Sequence, residues 1–353
     1  MNEAASQDNR VEFGLFDIMQ IDPARPTAEI FRERLAHHQM ADQLGLDYVF
    51  LAERHFMPLY RAASPGLLLA ALSESTENIR LGVLAYTVAL HHPVLLAEEI
   101  STLDHLTGGR LEAGLGLGHR PQEISGLGYP AEHRQAIFLE NLTIMRQAWD
   151  GKAFKFDGAL HHVDNIFVDP PMQRPHPPLW FAGGDPQVTA WAGRNGLSLG
   201  VGFAPDENLT ESTEAYWNET APEGAPRRRV ALMRHVYVAD SSEQAREEII
   251  TDLVNLGADL VANPRGLPNV PERPPTREEA EAQYEDQNAR QIVVSGDAEA
   301  VAESIATSMA AVRANVFLAN IHLTLVEDER IRRTLRLFAE EVVPLVRESL
   351  ASD

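Results

Sequence analysis

Short, almost wholly apolar runs alternate along the chain with longer stretches in which apolar residues recur every three or four positions. The runs VEFGLF (11–16), DYVFLA (47–52), IRLGVLAYTVAL (79–90), RLEAGLGLG (110–118), PLWFAGG (178–184), LSLGVGF (197–203), RRVALMRHVYVA (228–239) and NVFLANIHLTL (315–325) predict eight strands. Continuous apolar character of this length is the mark of a strand covered on both faces. The intervening pattern predicts helices over 27–45, 64–76, 93–109, 132–151, 186–196, 209–220, 241–257, 296–314 and 328–348. Ser64 before Pro65 reads as a helix N-cap followed by a first-turn proline, and Gly45 reads as a helix stop.

Strands that each lead into helical sequence pair in parallel through right-handed crossovers. Eight such units predict an α/β fold of the (β/α)8, TIM-barrel type, as a single domain over residues 1–353. A doubly wound sheet would carry a Gly-rich nucleotide turn after its first strand, and none follows residue 16. Two excursions interrupt the rhythm. Residues 154–170 read as a β-hairpin, and the proline- and charge-rich segment 258–290 is too long for a plain connector and is expected to act as a lid.

Composition narrows the function classes. The 353 residues include no cysteine, which removes disulfides, thiolate metal sites and a cysteine nucleophile. A net charge of -22 argues against nucleic acid and anionic membrane as partners. The polar start MNEAASQDNR has no apolar signal core, and no run reaches the ~18 to 20 apolar residues of a membrane span, so a cytoplasmic protein is expected.

In a barrel of this type the chemistry sits at the C-terminal ends of the strands. The second strand ends in Glu53, Arg54 and His55, either a reactive triplet or a salt-bridged rim. The third ends near Tyr86, Thr87, His91 and His92, and the fourth carries Gly114, Gly116 and Gly118, which would let a flat ligand approach the backbone or simply kink a crowded strand. His91, His92 and His119 have neither helical His-x-x-x-His spacing nor a matching carboxylate, so no metal site is expected. Gly183 and Gly184 precede a helix start and suggest an anion site, with Arg134 as the balancing cation. Asp185 and Pro186 equally suit an ordinary N-cap and first helical residue, and both work against an anion.

Several segments in order, DYVFLAERHF, IRLGVLAYTVALHHPVLLAEEISTLDHLTGGRLEAGLGLG and GYPAEHRQAIFLENLTIMRQAWDG, together with IVVSGDAEAVAESI and LRLFAEEVVPLV, give the chain a resemblance to the bacterial luciferase-like family of flavin-dependent monooxygenases. The resemblance implies a TIM barrel, usually a homodimer, that holds reduced FMN at its C-terminal face, with the deazaflavin F420 as the alternative in some branches. It implies a separate NAD(P)H-dependent flavin reductase as partner, and oxidation of a small organic substrate by O2 through a flavin C4a-peroxide. Two alternatives are F420-dependent hydride transfer on the same barrel and a flavin-binding relative without turnover. ERHF stands where the family usually reads Glu-His-His-Phe, which implies catalytic roles for Glu53, Arg54 and His55, with His55 as the acid–base group. Arg54 replaces a histidine, and a guanidinium that keeps its proton could orient an anionic substrate or stabilise a peroxide anion. By the same resemblance Leu84–Ala85 is the non-proline cis peptide under the flavin ring, Gly116 and Leu117 lie beside it, and Arg134, Gly183, Gly184 and Asp185 hold the phosphate. Leu117 stands where luciferase has a phosphate-binding arginine, so the phosphate site is expected to be thinned.

Overall fold

The structure is a computed structural model and describes residues 10–22, 24–118, 120–264, 270–323 and 326–351. Its strands are β1 (Glu12–Asp17), β2 (Tyr48–Leu51), β3 (Arg80–Thr87), β4 (Leu111–Gly116), β5 (Phe154–Asp157), β6 (His162–Ile166), β7 (Leu179–Ala182), β8 (Ser198–Gly202), β9 (Val230–Val238), β10 (Val293–Gly296) and β11 (Val316–Asn320). β1, β2, β3, β4, β7, β8, β9 and β11 pair in parallel, in that order, and β11 returns to β1 to close the ring. These are the eight strands expected from the apolar runs, and the fold is a (β/α)8 barrel. β5 and β6 form the antiparallel hairpin expected over 154–170.

Both faces of the barrel strands are buried because they serve two cores. The outer face packs against the helices in one large apolar cluster. The inner face contributes a smaller one, including Phe16, Tyr48, Phe50, Leu84, Trp180, Met233 and Leu318. Aromatic rings from β2 and β7 fill the interior, with Phe50 and Trp180 edge to face at 5.2 Å between centroids. The neighbouring strand yields the space: a Cβ on Gly82 would come 2.5 Å from the Phe50 ring.

The N-terminal end of the barrel is closed by charge. Glu112, fully buried on β4, pairs with Arg80, lies 3.5 Å from Arg229 and accepts the Trp180 indole N–H at 2.6 Å. Burial pushes the Glu112 carboxyl up from its ordinary value, although both arginines and the indole pull the other way.

Three elements differ from the sequence reading. β10 is an added strand, paired with the distal half of β9, which is long enough to contact β8 and β11 first. Its four residues merge in sequence with the following helix Ala298–Ala311. A short helix, Pro121–Gly126, follows β4 where the sequence reading assigns no element. The terminal helix passes through one π turn at Phe338–Val342, where Pro344 supplies no N–H to continue the regular ladder. Ser64 precedes Pro65–Ser73 without a side-chain capping bond, whereas Ser241 does cap the helix Ser242–Ala262 through the Gln244 N–H. Within 258–290 the described residues carry the helix Arg277–Ala289, which starts with a Thr276–Glu279 capping box and packs on the helix Ser242–Ala262. Residues 265–269 of the expected lid and residues 324 and 325 of the last apolar run lie outside the described residues. Among the described residues, no helix is long and apolar enough to cross a membrane.

Replacing Glu112 by Leu would leave the Trp180 indole N–H without its acceptor and remove the buried carboxylate that faces the part-buried Arg80 and Arg229, although Arg229 keeps Glu12 at 3.3 Å. Glu112→Leu is expected to destabilise the protein by ~3 to 5 kcal/mol, read from the urea unfolding midpoint, with Glu112→Gln costing less because its amide oxygen still accepts from Trp180.

Candidate functional site

The C-terminal ends of the strands surround a cavity of about 560 Å³. Leu84 and Ala85 on β3 form part of its wall, and the peptide between them is cis. The β3–β4 register slips between Val83 and Tyr86, so this peptide stands out of the regular ladder. Glycines on β4 and β8 leave room for its side chains: a Cβ on Gly116 would meet Ala85 Cβ at 3.2 Å, and one on Gly200 would meet the Leu84 side chain at 2.8 Å. The result is a wall of backbone and small groups, suited to the face of a planar ligand. Phe16, Phe203 and Met233 add an apolar side, with the Phe16 and Phe203 rings 5.8 Å apart.

The triplet after β2 divides in two. Glu53 is buried and turned away from the cavity, into the end of β3. Its Oε2 accepts the Thr87 N–H at 2.5 Å, and its Oε1 lies 2.7 Å from His91 Nε2 and 3.4 Å from His55 Nε2. Burial alone would raise the Glu53 carboxyl, but the histidine contacts and the Thr87 N–H outweigh it and hold the group at about 2. The Glu53 contact raises the pKa of His55, against an opposing effect of partial burial. The His55 backbone N–H reaches Glu123 Oε1 at 3.3 Å. Arg54, between them, does line the cavity, and its Nη1 donates to the Glu53 carbonyl at 2.9 Å. Of the three residues expected to be catalytic, only Arg54 faces the cavity directly.

All eight residues expected to hold a cofactor border this cavity: Leu84, Ala85, Gly116, Leu117, Arg134, Gly183, Gly184 and Asp185. Arg134 Nη1 donates to the Ala131 carbonyl at 3.3 Å, and among the described residues no carboxylate pairs with it. Asp185 caps the helix Pro186–Arg194, accepting the Gln187 and Val188 N–H groups at 2.9 and 3.2 Å. That occupies two donors an anion could use. Among the described residues, nothing accepts from the N–H groups of Gly184 or Asp185.

Sequence reasoning missed the apolar wall and Asn208, which also lines the cavity. Phe16 and Met233 lie on β1 and β9 and Phe203 follows β8, places where only the closed ring reveals which side chains point inward. It also missed Asp17, His38 and His322, a buried trio whose donor atoms lie within 4.8 Å of one another. His38 Nε2 is 3.2 Å and His322 Nδ1 3.5 Å from Asp17 Oδ2. Arg34 stands 3.7 Å from Asp17 Oδ1 and already provides a counter-charge. His119 lies outside the described residues, while His91 is engaged by Glu53 and His92 packs edge-on to His161.

Comparison with known proteins bears on this geometry. Residues 11–315 match the sequence profile of the family described as luciferase-like monooxygenase. The flavin-dependent trigonelline monooxygenase, oxygenase component, of Acinetobacter baylyi is 28% identical over 244 residues, 67% of each chain. An F420-dependent glucose-6-phosphate dehydrogenase of Intrasporangium calvum is 33% identical over 185 residues, 49% of this chain and 54% of that one. In fold, the chain is similar to the oxygenating constituent of 3,6-diketocamphane monooxygenase of Pseudomonas putida, solved in complex with FMN. The TM-score is 0.76 at 20% identity, covering 95% of this chain and 98% of that one.

The Glu53 cluster generates a pH signature. Because its folded pKa is depressed from 4.5 to about 2, Glu53 contributes stability that is present above pH 4.5 and is lost as the pH falls toward 2. His55, with a raised pKa, contributes stability that is complete below 6.5 and lost as the pH rises through its folded value. Glu53→Gln is expected to cost ~2 to 3 kcal/mol at pH 7 in chemical denaturation and to move the His55 titration, followed by NMR, to lower pH.

Proposed function

The chain belongs to the luciferase-like monooxygenases, an oxidoreductase family, and from that premise we propose that it binds reduced FMN in the cavity and uses O2 to oxidise a small organic substrate. The observation that carries the reading is the meeting, in one cavity, of a flat Leu84–Ala85 wall with an arginine that has no acidic partner, and amides that have no acceptor, among the described residues. The wall suits the flavin ring, and Arg134 with the Gly184 and Asp185 N–H groups suits its phosphate. The fit is thin at the phosphate end, where Leu117 offers no charge and Asp185 adds a negative one. Loose binding accords with an oxygenase that takes its flavin already reduced. The words "oxygenase component" and "oxygenating constituent" in the names of two similar proteins support a separate flavin reductase as partner.

Bound reduced FMN would supply the electrons with which O2 is activated to oxidise the substrate. The protein's own residues orient and shield. Arg134 and the two amides would hold the phosphate, and the glycines at 116 and 200 leave the space that the Leu84 and Ala85 side chains occupy in the wall the ring would face. Phe16, Phe203 and Met233 keep water from the reacting face. His55 Nε2 lies 3.4 Å from the Glu53 carboxylate, whose charge favours the protonated ring. Hydride transfer with F420 is the second reading, supported by the dehydrogenase relative. Its long anionic tail calls for a basic groove. Apart from Arg54 and Arg134 the cavity offers no arginine or lysine among the described residues, and Arg120 lies 3.7 Å from Glu123.

The test is an anaerobic titration of the purified protein with reduced FMN, reduced riboflavin and reduced F420, each then mixed with O2 under absorbance. FMN is expected to bind at least tenfold more tightly than riboflavin, and the bound flavin to be reoxidised by O2. Arg134→Gln is expected to weaken FMN by about ten- to a hundredfold while leaving riboflavin unchanged. Tighter binding of F420, or equal binding of FMN and riboflavin, would contradict the reading.

A further inference from the structure

Among the described residues, Arg54 is a guanidinium without an acid: its side chain donates to the Glu53 carbonyl, and no carboxylate oxygen lies within ion-pair distance of it. Scarcity does not explain this, because the chain has 52 acidic residues against 30 lysines and arginines. The two acids near it are engaged elsewhere: Glu53 with Thr87, His91 and His55, and Glu123 with the His55 N–H and, at 3.7 Å, Arg120. The arginine is half-buried, opens onto the cavity and shares it with Phe16, Phe203 and Met233. A partly desolvated cation beside an apolar wall is costly until something supplies the opposite charge.

The flavin phosphate is badly placed to do so. Its proposed donors come from the segments after β4 and β7, whereas Arg54 follows β2, three strands round the ring from β7. We infer that Arg54 is the receptor for a carboxylate on the organic substrate, and that this enzyme acts on an apolar, ring- or chain-bearing carboxylic acid. The inference rests on the flavin reading of the same cavity. A planar guanidinium offers two parallel N–H donors that match the two oxygens of a carboxylate, a geometry that a histidine at this position would not provide. Nη1 is tethered to the Glu53 carbonyl, which fixes the plane of the fork. Glu53 is itself immobilised by β3, so the receptor is held before the ligand arrives. The apolar remainder of the substrate then lies along Phe16 and Phe203, beside the Leu84–Ala85 wall.

The experiment is calorimetric titration of the full-length, FMN-loaded protein with matched acid and amide pairs: benzoate and benzamide, phenylacetate and phenylacetamide, hexanoate and hexanamide. At least one acid is expected to bind tenfold or more tightly than its amide. In Arg54→Gln the acid should weaken by about ten- to a hundredfold, with the amide and FMN changed less than about threefold. Arg54→Lys, which keeps the charge but loses the fork, should retain an intermediate preference and so separates a lost receptor from a misfolded variant. The proposal is overturned if the wild-type protein shows no acid preference, if the preference survives Arg54→Gln, or if Arg54→Gln weakens FMN as strongly as Arg134→Gln does. Failure of the wild-type protein to hold FMN would instead count against the flavin reading, and the same pairs titrated into the flavin-free protein would still decide the role of Arg54.

Discussion

A single buried carboxylate organises the upper end of the barrel. Glu53 lies at the end of β2 with almost no exposure, and a charge in that position is tolerable only if it is surrounded by donors. It finds the Thr87 N–H and the His91 ring across the β2–β3 boundary, and the His55 ring two residues along its own segment. Those contacts tie the two strand ends together and fix the chain that follows each. Side chains alternate along extended backbone, so with Glu53 and His55 on one side, Arg54 between them is turned to the cavity. On β3 the Thr87 anchor lies two residues beyond the Leu84–Ala85 peptide, and so helps to hold the wall against which a planar ligand would rest.

The two ends of the barrel handle charge in opposite ways. At the N-terminal end the buried Glu112 accepts from Arg80 and Trp180 and has Arg229 3.5 Å away, so cations and carboxylate are paired there and close the interior. At the C-terminal end Arg54 and Arg134 remain without acidic partners among the described residues of a strongly acidic chain. Unspent cations in a concave, partly apolar space are the electrostatic counterpart of an anionic ligand. Glycine on β4 and β8 makes this compatible with a tight barrel, because the space denied to side chains there is taken by Ala85 Cβ and the Leu84 side chain.

Much of this was legible in the sequence. The eight barrel strands follow from apolar runs whose two buried faces leave no polar alternation, and the Asp185–Pro186 helix start follows from local capping chemistry. What was not legible depends on closure or on distance along the chain. β10 is four residues long and has meaning only beside the distal half of β9. Asp17, His38 and His322 converge only because β11 returns to β1, a separation no local pattern records. The acid, guanidinium and imidazole of residues 53–55 were visible as a group, but their division into one buried anchor, one cavity-facing cation and one shielded histidine needed the partner strand. Alternation of side chains was the signal available for it, and it separates Arg54 from its two neighbours.

The central claim is that the Leu84–Ala85 wall and the Arg134 end together form a flavin site. A crystal structure of the protein soaked with FMN tests it most directly. The account predicts density for the ring against Leu84–Ala85, the phosphate within hydrogen-bond reach of Arg134 and the Gly184 and Asp185 N–H groups, and the Arg54 guanidinium free of the phosphate. A ring bound away from that peptide, or a phosphate held by Arg54 instead of Arg134, would contradict it.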